Sequence, residues 1–241
     1  MSGLPHHHVP QVGSTITASW DLAEAGADVP FWLTADEQLA GRGRGGRLWS
    51  SKPGNLYSTY LGPAPTVDGA ALLPFAVALA VHDAIAPALP EQLQPALRLK
   101  WPNDVLHDGA KIAGILIEKR QGRVAIGIGI NVAHAPQIPG RRTIGISALG
   151  APANVSDIFE ALTAAMAKRL TQLDTRPQTI GPAWTAKAVG VGAPVVVDRG
   201  EETWEGTFDH LAADGALMLR VASGAMRPIY AGDLFISDQS A

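Results

Sequence analysis

The sequence predicts an α/β protein in which a mixed sheet backed by helices is followed by a small β-barrel. Apolar runs of strand length, separated by turn-like segments, recur over residues 31–131. Residues 72–89 are apolar on nearly every helical face, which indicates a helix packed on both sides. After Gly190 the runs become short and closely spaced, with glycine-containing turns between them, as in a barrel. The predicted domains are residues 1–188 and 189–241.

The individual elements follow from the same patterns. In the larger domain, Ser156 can cap a helix with Asp157 in its first turn, and apolar residues then recur at steps of four. Residues 102–104 and 121–122 are turn-like. The predicted strands are residues 31–35, 56–61, 97–101, 111–118 and 124–131 of the larger domain, and 194–197, 204–211, 216–221 and 226–230 of the barrel.

Composition limits the function classes that the chain can serve. It has 241 residues, 46% of them hydrophobic, which is enough to bury a core without a metal or a disulfide. Lys and Arg number 19 and Asp and Glu 22, so the net charge of −3 provides no basic field for bulk nucleic-acid binding. The absence of cysteine excludes disulfides, thiolate metal ligands and a cysteine nucleophile.

The N-terminal residues predict a cytoplasmic protein. MSGLPHHHVP has neither a basic n-region nor an apolar h-region, and the longest apolar run, residues 70–81, is shorter than a membrane span. The residues before Ser14 are too few for a helix-turn-helix, so DNA binding is not expected. Membrane contact is not expected either, because the longest apolar run is too short to span a bilayer. Adjacent histidines at positions 6–8 would point in different directions, and we interpret them as a mobile tail rather than a metal site.

A cationic loop is the first segment that indicates chemistry. GRGRGGRLW, residues 41–49, places three arginines among four glycines. Glycine lets the backbone approach an anion, and forked guanidinium donors suit phosphate or carboxylate, so a phosphorylated ligand is expected. Trp49 could stack on an aromatic base. Composition alone leaves open a solvated loop or an RNA-binding segment rich in Arg and Gly.

Two further segments place charged groups at strand ends. In KWPND, residues 100–104, Asp104 could hold Mg²⁺ on a phosphate, or the segment could be a surface turn capped by its own Asn and Asp. Lys111 begins an otherwise apolar strand, so it either reaches the surface or faces a bound anion. Gly114 in the same strand would admit the close approach of another group.

Uncharged polar residues complete the set of candidates. Asn131 ends the run GIGIN with an amide that can pair with the edge of a base, although the run could equally be a tightly packed strand. Ser14, Thr15 and Gln38 could bind a neutral ureido or amide group, although Ser and Thr most often cap helices. Each of these residues alone is weak evidence.

In their order and spacing, these segments resemble the signature segments of biotin-protein ligases of the monofunctional type, without an N-terminal DNA-binding domain. The matching segments are Ser14-Thr15, Gln38 with GRGRGGRLW, KWPND, KIAGILIE and GIGINV. The resemblance covers residues 12–135, and the later helix and barrel match only the general plan of the family. Ile16 stands where the family usually has Asn, and Gly45 where a second consecutive arginine is usual.

The resemblance implies a catalytic domain of the biotin/lipoate ligase type followed by an SH3-like β-barrel. It also implies that the carboxylate of biotin attacks the α-phosphate of ATP, and that a carrier lysine then takes biotin from biotinyl-5′-AMP. The implied partner is the biotin carboxyl carrier protein domain of acetyl-CoA carboxylase or of a related biotin-dependent carboxylase. Mg²⁺ is the implied cofactor, and the chain is expected to be a monomer or a homodimer.

The resemblance also assigns roles to individual residues. Lys111 is implied to contact the biotin carboxylate and the α-phosphate, and Arg44 is the second implied catalytic residue. The arginine loop is expected to order over the adenylate and to exclude water. Biotin contacts are implied for Ser14, Thr15, Ile16, Gln38, Gly41, Arg42, Gly43, Arg44, Lys111 and Gly114. ATP or adenylate contacts are implied for Arg44, Arg47, Trp49, Lys100, Asn103, Asp104, Lys111 and Asn131, with Asp104 also as the metal ligand.

Two alternatives remain open at this point, one of the same fold and one from a different class. A lipoate or octanoate ligase or transferase shares the general fold, but such a transferase would need a nucleophilic cysteine, and neither class resembles GRGRGGRLW followed by KWPND. A non-enzymatic RNA-binding module would use the arginine loop, and its affinity for single strands would fall with added salt.

Overall fold

Two β-sheets and five α-helices make up the described part of the chain. The computed structural model describes residues 3–200 and 202–236. The strands are β1 (His6–Val12), β2 (Phe31–Gln38), β3 (Leu56–Pro63), β4 (Leu97–Lys100), β5 (Asp104–His107), β6 (Ala110–Arg120), β7 (Arg123–Ile130), β8 (Pro194–Asp198), β9 (Thr203–Leu211), β10 (Leu217–Arg220), β11 (Met226–Ile229) and β12 (Asp233–Ile236). The α-helices are α1 (Thr15–Glu24), α2 (Val67–Ala70), α3 (Leu73–Ile85), α4 (Val155–Thr175) and α5 (Ile180–Thr185). Short 3₁₀ turns cover Arg44–Gly46, Ala86–Ala88, Glu91–Ala96, Ile146–Leu149 and Pro177–Thr179.

The order of the strands places β6 and β7 near the middle of the larger sheet. This seven-stranded sheet has the order β1-β2-β3-β7-β6-β5-β4, and the smaller, five-stranded sheet has the order β11-β10-β9-β8-β12. Strands β1 and β2 are parallel and connected through α1, whereas the other neighbouring pairs of the larger sheet are antiparallel. The predicted α/β fold, with a mixed sheet followed by a second β unit, is confirmed.

The N-terminal histidines lie in a strand, so their interpretation as a mobile tail is wrong. Pairing of β1 with β2 fixes their backbone, and alternate residues therefore share a face. His6 Nε2 and His8 Nδ1 lie 2.8 Å and 3.0 Å from the hydroxyl oxygen of Thr34. His7 points to the other face, where its ring centroid lies 5.2 Å from that of Phe31. Backbone pairing and these contacts hold the segment in place.

Some element boundaries differ from those predicted. Strands β5 and β12 are absent from the prediction: both are short, and their strand conformation depends on pairing with β4 and β6 and with β8. Asp104 is the first residue of β5 and does not belong to the preceding turn. Ser156 is not a helix cap: Asn154 caps α4, since its Oδ1 accepts a hydrogen bond from the backbone N–H of Asp157 at 2.8 Å.

Helix α3 is buried on nearly all sides, as predicted, with eleven of its 13 residues buried. It ends at Ile85 rather than continuing to residue 89, because Pro87 has no backbone N–H to donate and the chain passes into a 3₁₀ turn. Within residues 3–200 and 202–236, no helix is both long enough and apolar enough to cross a bilayer.

The hydrophobic core is continuous from the larger sheet into the barrel. Trp184 of α5 is fully buried, and its ring centroid lies 5.3 Å from that of Phe75 in α3 and 6.4 Å from that of Phe208 in β9. This apolar packing fixes the barrel against the larger sheet and brings β12 close to the arginine loop. The domain boundary at residue 188 stays a prediction.

Candidate functional site

A cavity of about 280 Å³ lies between the arginine loop, residues 41–49, and the strands β6 and β7. Segments that are far apart in the sequence supply its lining. The predicted site residues in this lining are Ser14, Thr15, Ile16, Gln38, Arg42, Gly43, Arg44, Arg47, Trp49, Asn103, Asp104, Lys111 and Gly114. The fold therefore brings most of the predicted residues together around one space.

One end of the cavity is uncharged and is built on a chain of hydrogen bonds. Thr59 donates from its hydroxyl to that of Thr15 at 2.9 Å, and Thr15 donates in turn to Gln38 Oε1 at 3.0 Å. Gln38 Nε2 donates to Ser51 Oγ at 2.9 Å, so the orientation of the amide is fixed. Ser14 is the N-cap of α1 but makes no side-chain cap hydrogen bond to the described residues. This end offers neutral hydrogen-bonding groups to a ligand.

The floor of the cavity is bare strand backbone. Gly114 of β6 is paired with Gly129 of β7, and the indole ring of Trp49 lies against both. A Cβ atom would come within 2.8 Å of this ring at Gly114 and within 2.7 Å at Gly129. At Gly127 it would lie 2.5 Å from Ile16. These distances are too short for real side chains, so the glycines create a flat slot for a ring.

Lys111 and Asp104 form an ion pair in the wall of the cavity. Lys111 Nζ lies 2.5 Å from Asp104 Oδ1, and the two side chains are 17% and 18% exposed. The ammonium also lies 5.2 Å from the centre of the Trp49 ring, within cation–π range. Of the two positions that the sequence allows for this lysine, the structure shows the one that faces a cavity. The wall thus presents a cation where an anionic ligand can reach it.

The arginine loop is held in place by its own side chains. Arg44 Nη1 donates to Asn103 Oδ1 at 3.2 Å, and Arg47 Nη2 donates to Asp233 Oδ2 at 2.9 Å. Gly45 has a φ of 63°, in the left-handed region, where an arginine would be strained. The departure of Gly45 from the pattern of the family therefore fits the conformation of this loop.

Three predicted site residues lie outside the lining of the cavity. Asn131 is buried, and its Nδ2 donates to two backbone carbonyls at 3.3 Å and 3.2 Å. Gly41 supports the arginine loop, since a Cβ there would lie 2.6 Å from the carbonyl oxygen of Trp49. Lys100 Nζ lies 5.3 Å from the centre of the Phe235 ring, and burial lowers the pKa of this lysine. Their roles towards a ligand stay predictions.

The structure adds residues that the sequence does not single out. Asn55 is 2% exposed, and its Oδ1 accepts hydrogen bonds from the backbone N–H groups of residues 132–134 at 2.8 to 3.3 Å. It fixes the chain just after β7. Arg141 and Asp233 also line the cavity. No local pattern indicates any of these residues, because their partners are far away in the sequence.

Comparison with known proteins identifies the family to which the chain is similar. The model of the Biotin/lipoate A/B protein ligase family matches residues 9–134. A biotin–[acetyl-CoA-carboxylase] ligase of Paracoccus denitrificans is 40% identical over 209 residues, which cover 80% of this chain and 85% of that protein. A ligase of the same name from Mycobacterium tuberculosis is 33% identical over 94% of this chain and 86% of that protein.

Solved structures agree with the sequence comparison. The structure of biotin protein ligase from Aquifex aeolicus in complex with biotin and ATP has a TM-score of 0.81 at 25% identity, covering 97% of this chain and 99% of that chain. The matched residues 9–134 contain the arginine loop, KWPND and the strands β6 and β7, and they are more than half of the 241 residues. The resemblance predicted from the sequence is thus confirmed: the chain belongs to the Biotin/lipoate A/B protein ligase family and, within it, to the biotin–[acetyl-CoA-carboxylase] ligases.

Proposed function

We propose that this ATP-dependent biotin protein ligase binds biotin and ATP side by side in the cavity around Lys111 and Asp104. The supporting observation is the set of chemical groups that line one cavity: neutral hydrogen-bonding side chains, bare strand backbone, a lysine and several arginines. Biotin carries a neutral ureido ring, an apolar chain and a carboxylate, for which these groups are suitable partners. The phosphates of ATP would then lie at the arginines.

In the first step, a carboxylate oxygen of biotin attacks the α-phosphorus of ATP. The bond from this oxygen to phosphorus forms biotinyl-5′-AMP, and pyrophosphate leaves. Both reactants are anions, so their repulsion opposes the reaction. Lys111 Nζ can hydrogen-bond to both of them and can stabilise the charge that develops in the transition state. Asp104 positions this ammonium group through their contact at 2.5 Å.

In the second step, the ε-amine of a carrier lysine attacks the acyl carbon of the adenylate. An amide bond forms while the bond between the acyl carbon and the bridging phosphate oxygen breaks. AMP leaves with that oxygen, and the amine loses its proton to water. The mixed anhydride hydrolyses in water, so the site has to exclude solvent until the carrier arrives. The arginine loop is suited to this task because its glycines permit rearrangement. The names of the relatives support the biotin carboxyl carrier domain of acetyl-CoA carboxylase as the acceptor.

Trp49 covers the strand glycines at the centre of this site. A ligand ring that uses the same flat slot requires the indole to shift. We therefore propose that Trp49 moves together with the arginine loop when biotin binds, and that it then covers the adenine of the nucleotide. Among the biotin contacts, Ser14 and Thr15 would bind the ureido ring together with Gln38.

Mg²⁺ fits beside Asp104 as an ion held mainly by phosphate oxygens. One carboxylate oxygen of Asp104 binds Lys111, which leaves the other for a metal. The part of the chain that the structure describes contains no group of three or more His, Cys, Asp or Glu side chains arranged to hold an ion. Mg²⁺ is commonly held by one or two carboxylates together with substrate phosphates and water. When bound, it would offset the negative charge of the departing pyrophosphate.

The small barrel and the assembly complete the proposal. Asp233 of β12 lines the cavity, which supports a role for the barrel, residues 189–241, in binding ATP. We also propose a cytoplasmic monomer or homodimer that does not bind DNA. Gel filtration with light scattering of the full chain measures the oligomeric state.

The experiment that tests this function measures pyrophosphate release from ATP by the purified chain, with and without biotin. Lipoate and octanoate are supplied in parallel, and a biotin carboxyl carrier domain serves as the acceptor. We expect release that depends on biotin, followed by labelling of the carrier lysine. Release with lipoate alone would assign the chain to the sister ligases. No release with any acid, together with salt-sensitive RNA binding, would support the binding-module alternative.

A further inference from the structure

A directed chain of hydrogen bonds connects the neutral end of the cavity to the end of the arginine loop. Thr59 donates to Thr15 at 2.9 Å, and Thr15 donates to Gln38 Oε1 at 3.0 Å. Gln38 Nε2 donates to Ser51 Oγ at 2.9 Å, and Ser51 donates to the backbone carbonyl of Trp49 at 3.0 Å. Trp49 is the last residue of the arginine loop, whereas Ser51 lies outside the lining of the cavity. A ligand at Thr15 or Gln38 would thus contact the same polar network as the loop.

Backbone groups fix the direction of this chain. The backbone N–H of Thr15 can only donate, and it lies 2.9 Å from Gln38 Oε1, so the amide oxygen has to face Thr15. The amide nitrogen of Gln38 therefore faces Ser51, whose oxygen accepts the hydrogen bond. The carbonyl of Trp49 can only accept, so the hydroxyl hydrogen of Ser51 is directed to it. Ser51 thus hydrogen-bonds to Gln38 and to the backbone of the loop at the same time.

The link through Ser51 is buried and closely packed. Ser51 is 5% exposed, so water does not readily replace its two hydrogen bonds. A Cβ at Gly41, the first residue of the loop, would lie 2.6 Å from the carbonyl oxygen of Trp49, 2.7 Å from Ser51 Oγ and 3.1 Å from Gln38 Nε2. The missing side chain of Gly41 therefore makes room for the link. The backbone N–H of Trp49 donates to the carbonyl of Gly41 at 2.9 Å, so both ends of the loop lie beside Ser51.

We propose that Ser51 is a positioning residue that links ligand binding at the neutral end of the cavity to closure of the arginine loop. Its hydroxyl fixes the amide of Gln38 and holds the carbonyl of Trp49. A ligand that restrains Thr15 and Gln38 therefore also restrains the end of the loop, because neighbouring hydrogen bonds in a chain strengthen one another. Such coupling is reciprocal, so a restrained loop also strengthens ligand binding. The inference rests on the proposed function, in which the ureido ring of biotin binds at Thr15 and Gln38.

Biotin affinity and protection of the loop, measured separately on the full chain, test this link. Isothermal titration calorimetry with biotin alone compares the wild type with Ser51→Ala and with Ser51→Thr, which keeps the hydroxyl. Limited trypsin digestion then measures cleavage within the arginine loop, without biotin and at a biotin concentration that saturates each variant. The matched control is Ser50→Ala, which removes a hydroxyl from the exposed neighbouring residue. Urea unfolding first establishes that each variant is folded.

Ser51→Ala should change both quantities. The Kd for biotin should rise about three- to tenfold, because Gln38 loses the acceptor that fixes its amide. Saturating biotin should slow cleavage of the loop about tenfold or more in the wild type, but about threefold or less in Ser51→Ala, because the bound ligand no longer restrains Trp49. Ser51→Thr should retain the protection seen in the wild type. Ser50→Ala should match the wild type in both measurements.

Other outcomes overturn the inference. Full protection of the loop in Ser51→Ala at saturating biotin would show that the loop closes without this link, even if biotin binds more weakly. Loss of protection in Ser51→Thr, at unchanged resistance to urea, would show that the hydroxyl is not the operative group. Biotin binding by the wild type without any protection would remove the closure that Ser51 is proposed to control.

The failure of this link can be distinguished from the failure of the proposed function. If the wild type releases pyrophosphate in a biotin-dependent reaction while Ser51→Ala keeps full protection, only the link is wrong. If the wild type neither binds biotin nor releases pyrophosphate, the proposed function is wrong as well.

Discussion

Replacing Lys111 with methionine separates catalysis from stability at the centre of the site. Methionine keeps an unbranched side chain but removes the positive charge and leaves Asp104 without its partner. The two side chains are 17% and 18% exposed, so water partly solvates the remaining carboxylate. We therefore expect the free energy of unfolding to fall by about 1–2 kcal/mol, less than for a fully buried pair. A protein of this size should remain folded at 25 °C.

The effect of Lys111→Met on the first step should be much larger. Removing one group that stabilises transition-state charge typically lowers a rate by about 100- to 1000-fold. Lys111 is proposed to contact both reacting anions, so the upper end of this range is expected. Single-turnover formation of biotinyl-5′-AMP from labelled ATP measures the loss, and urea denaturation of the same preparation measures the stability.

The double variant Lys111→Met/Asp104→Asn is the control for this prediction. It removes the unpaired carboxylate, so it should recover most of the lost stability while the adenylate-forming activity stays low. Recovery of activity together with stability would show that Lys111 acts only by supporting the fold. Adenylate formation by Lys111→Met within about tenfold of the wild-type rate would refute the catalytic role.

Three further predictions concern other parts of the molecule. A Cβ at Gly129 would lie 2.7 Å from the neighbouring indole ring, so Gly129→Ala should lower kcat/KM for biotin about tenfold or more. Gly181→Ala, whose nearest atom is at 3.7 Å, should leave it unchanged in the same kinetic assay. Asn55→Ala removes the acceptor of three backbone N–H groups and should lower the free energy of unfolding in urea by about 2–3 kcal/mol; a loss near zero would contradict this. Burial opposes ionisation of Asp83, but the adjacent His82 ring, 3.7 Å away, and two hydrogen bonds from Arg169 at 2.8 Å and 2.6 Å lower the pKa of this carboxyl. The contribution of this carboxylate to the free energy of unfolding is therefore complete above its unfolded pKa and is lost as pH falls through its folded pKa. Asp83→Asn should thus destabilise the protein at pH 7 but much less near pH 2. Equal losses of stability at the two pH values would argue against the ion pair.

Some of the fold and most of the site chemistry were predictable because they depend on local properties. Helix α3 and strand β7 are long enough for their apolar patterns to be read directly. Strands β5 and β12 could not be recognised in this way, since hydrogen bonds to neighbouring strands select these four-residue segments. The histidines of β1 likewise became a strand only through pairing with β2.

The sequence by itself determined which chemical groups the site contains. Arginines among glycines indicate an anion, and a lysine at the start of an apolar strand indicates a charged partner, because side-chain type and backbone freedom belong to individual residues. Only the tertiary structure decided which groups meet. Asp233 lies 186 residues from Arg47 along the chain, and the ring of Trp49 reaches the glycines of two strands that are distant in sequence. Such contacts depend on strand order and on the packing of the barrel against the sheet, which a local hydrophobic pattern does not encode.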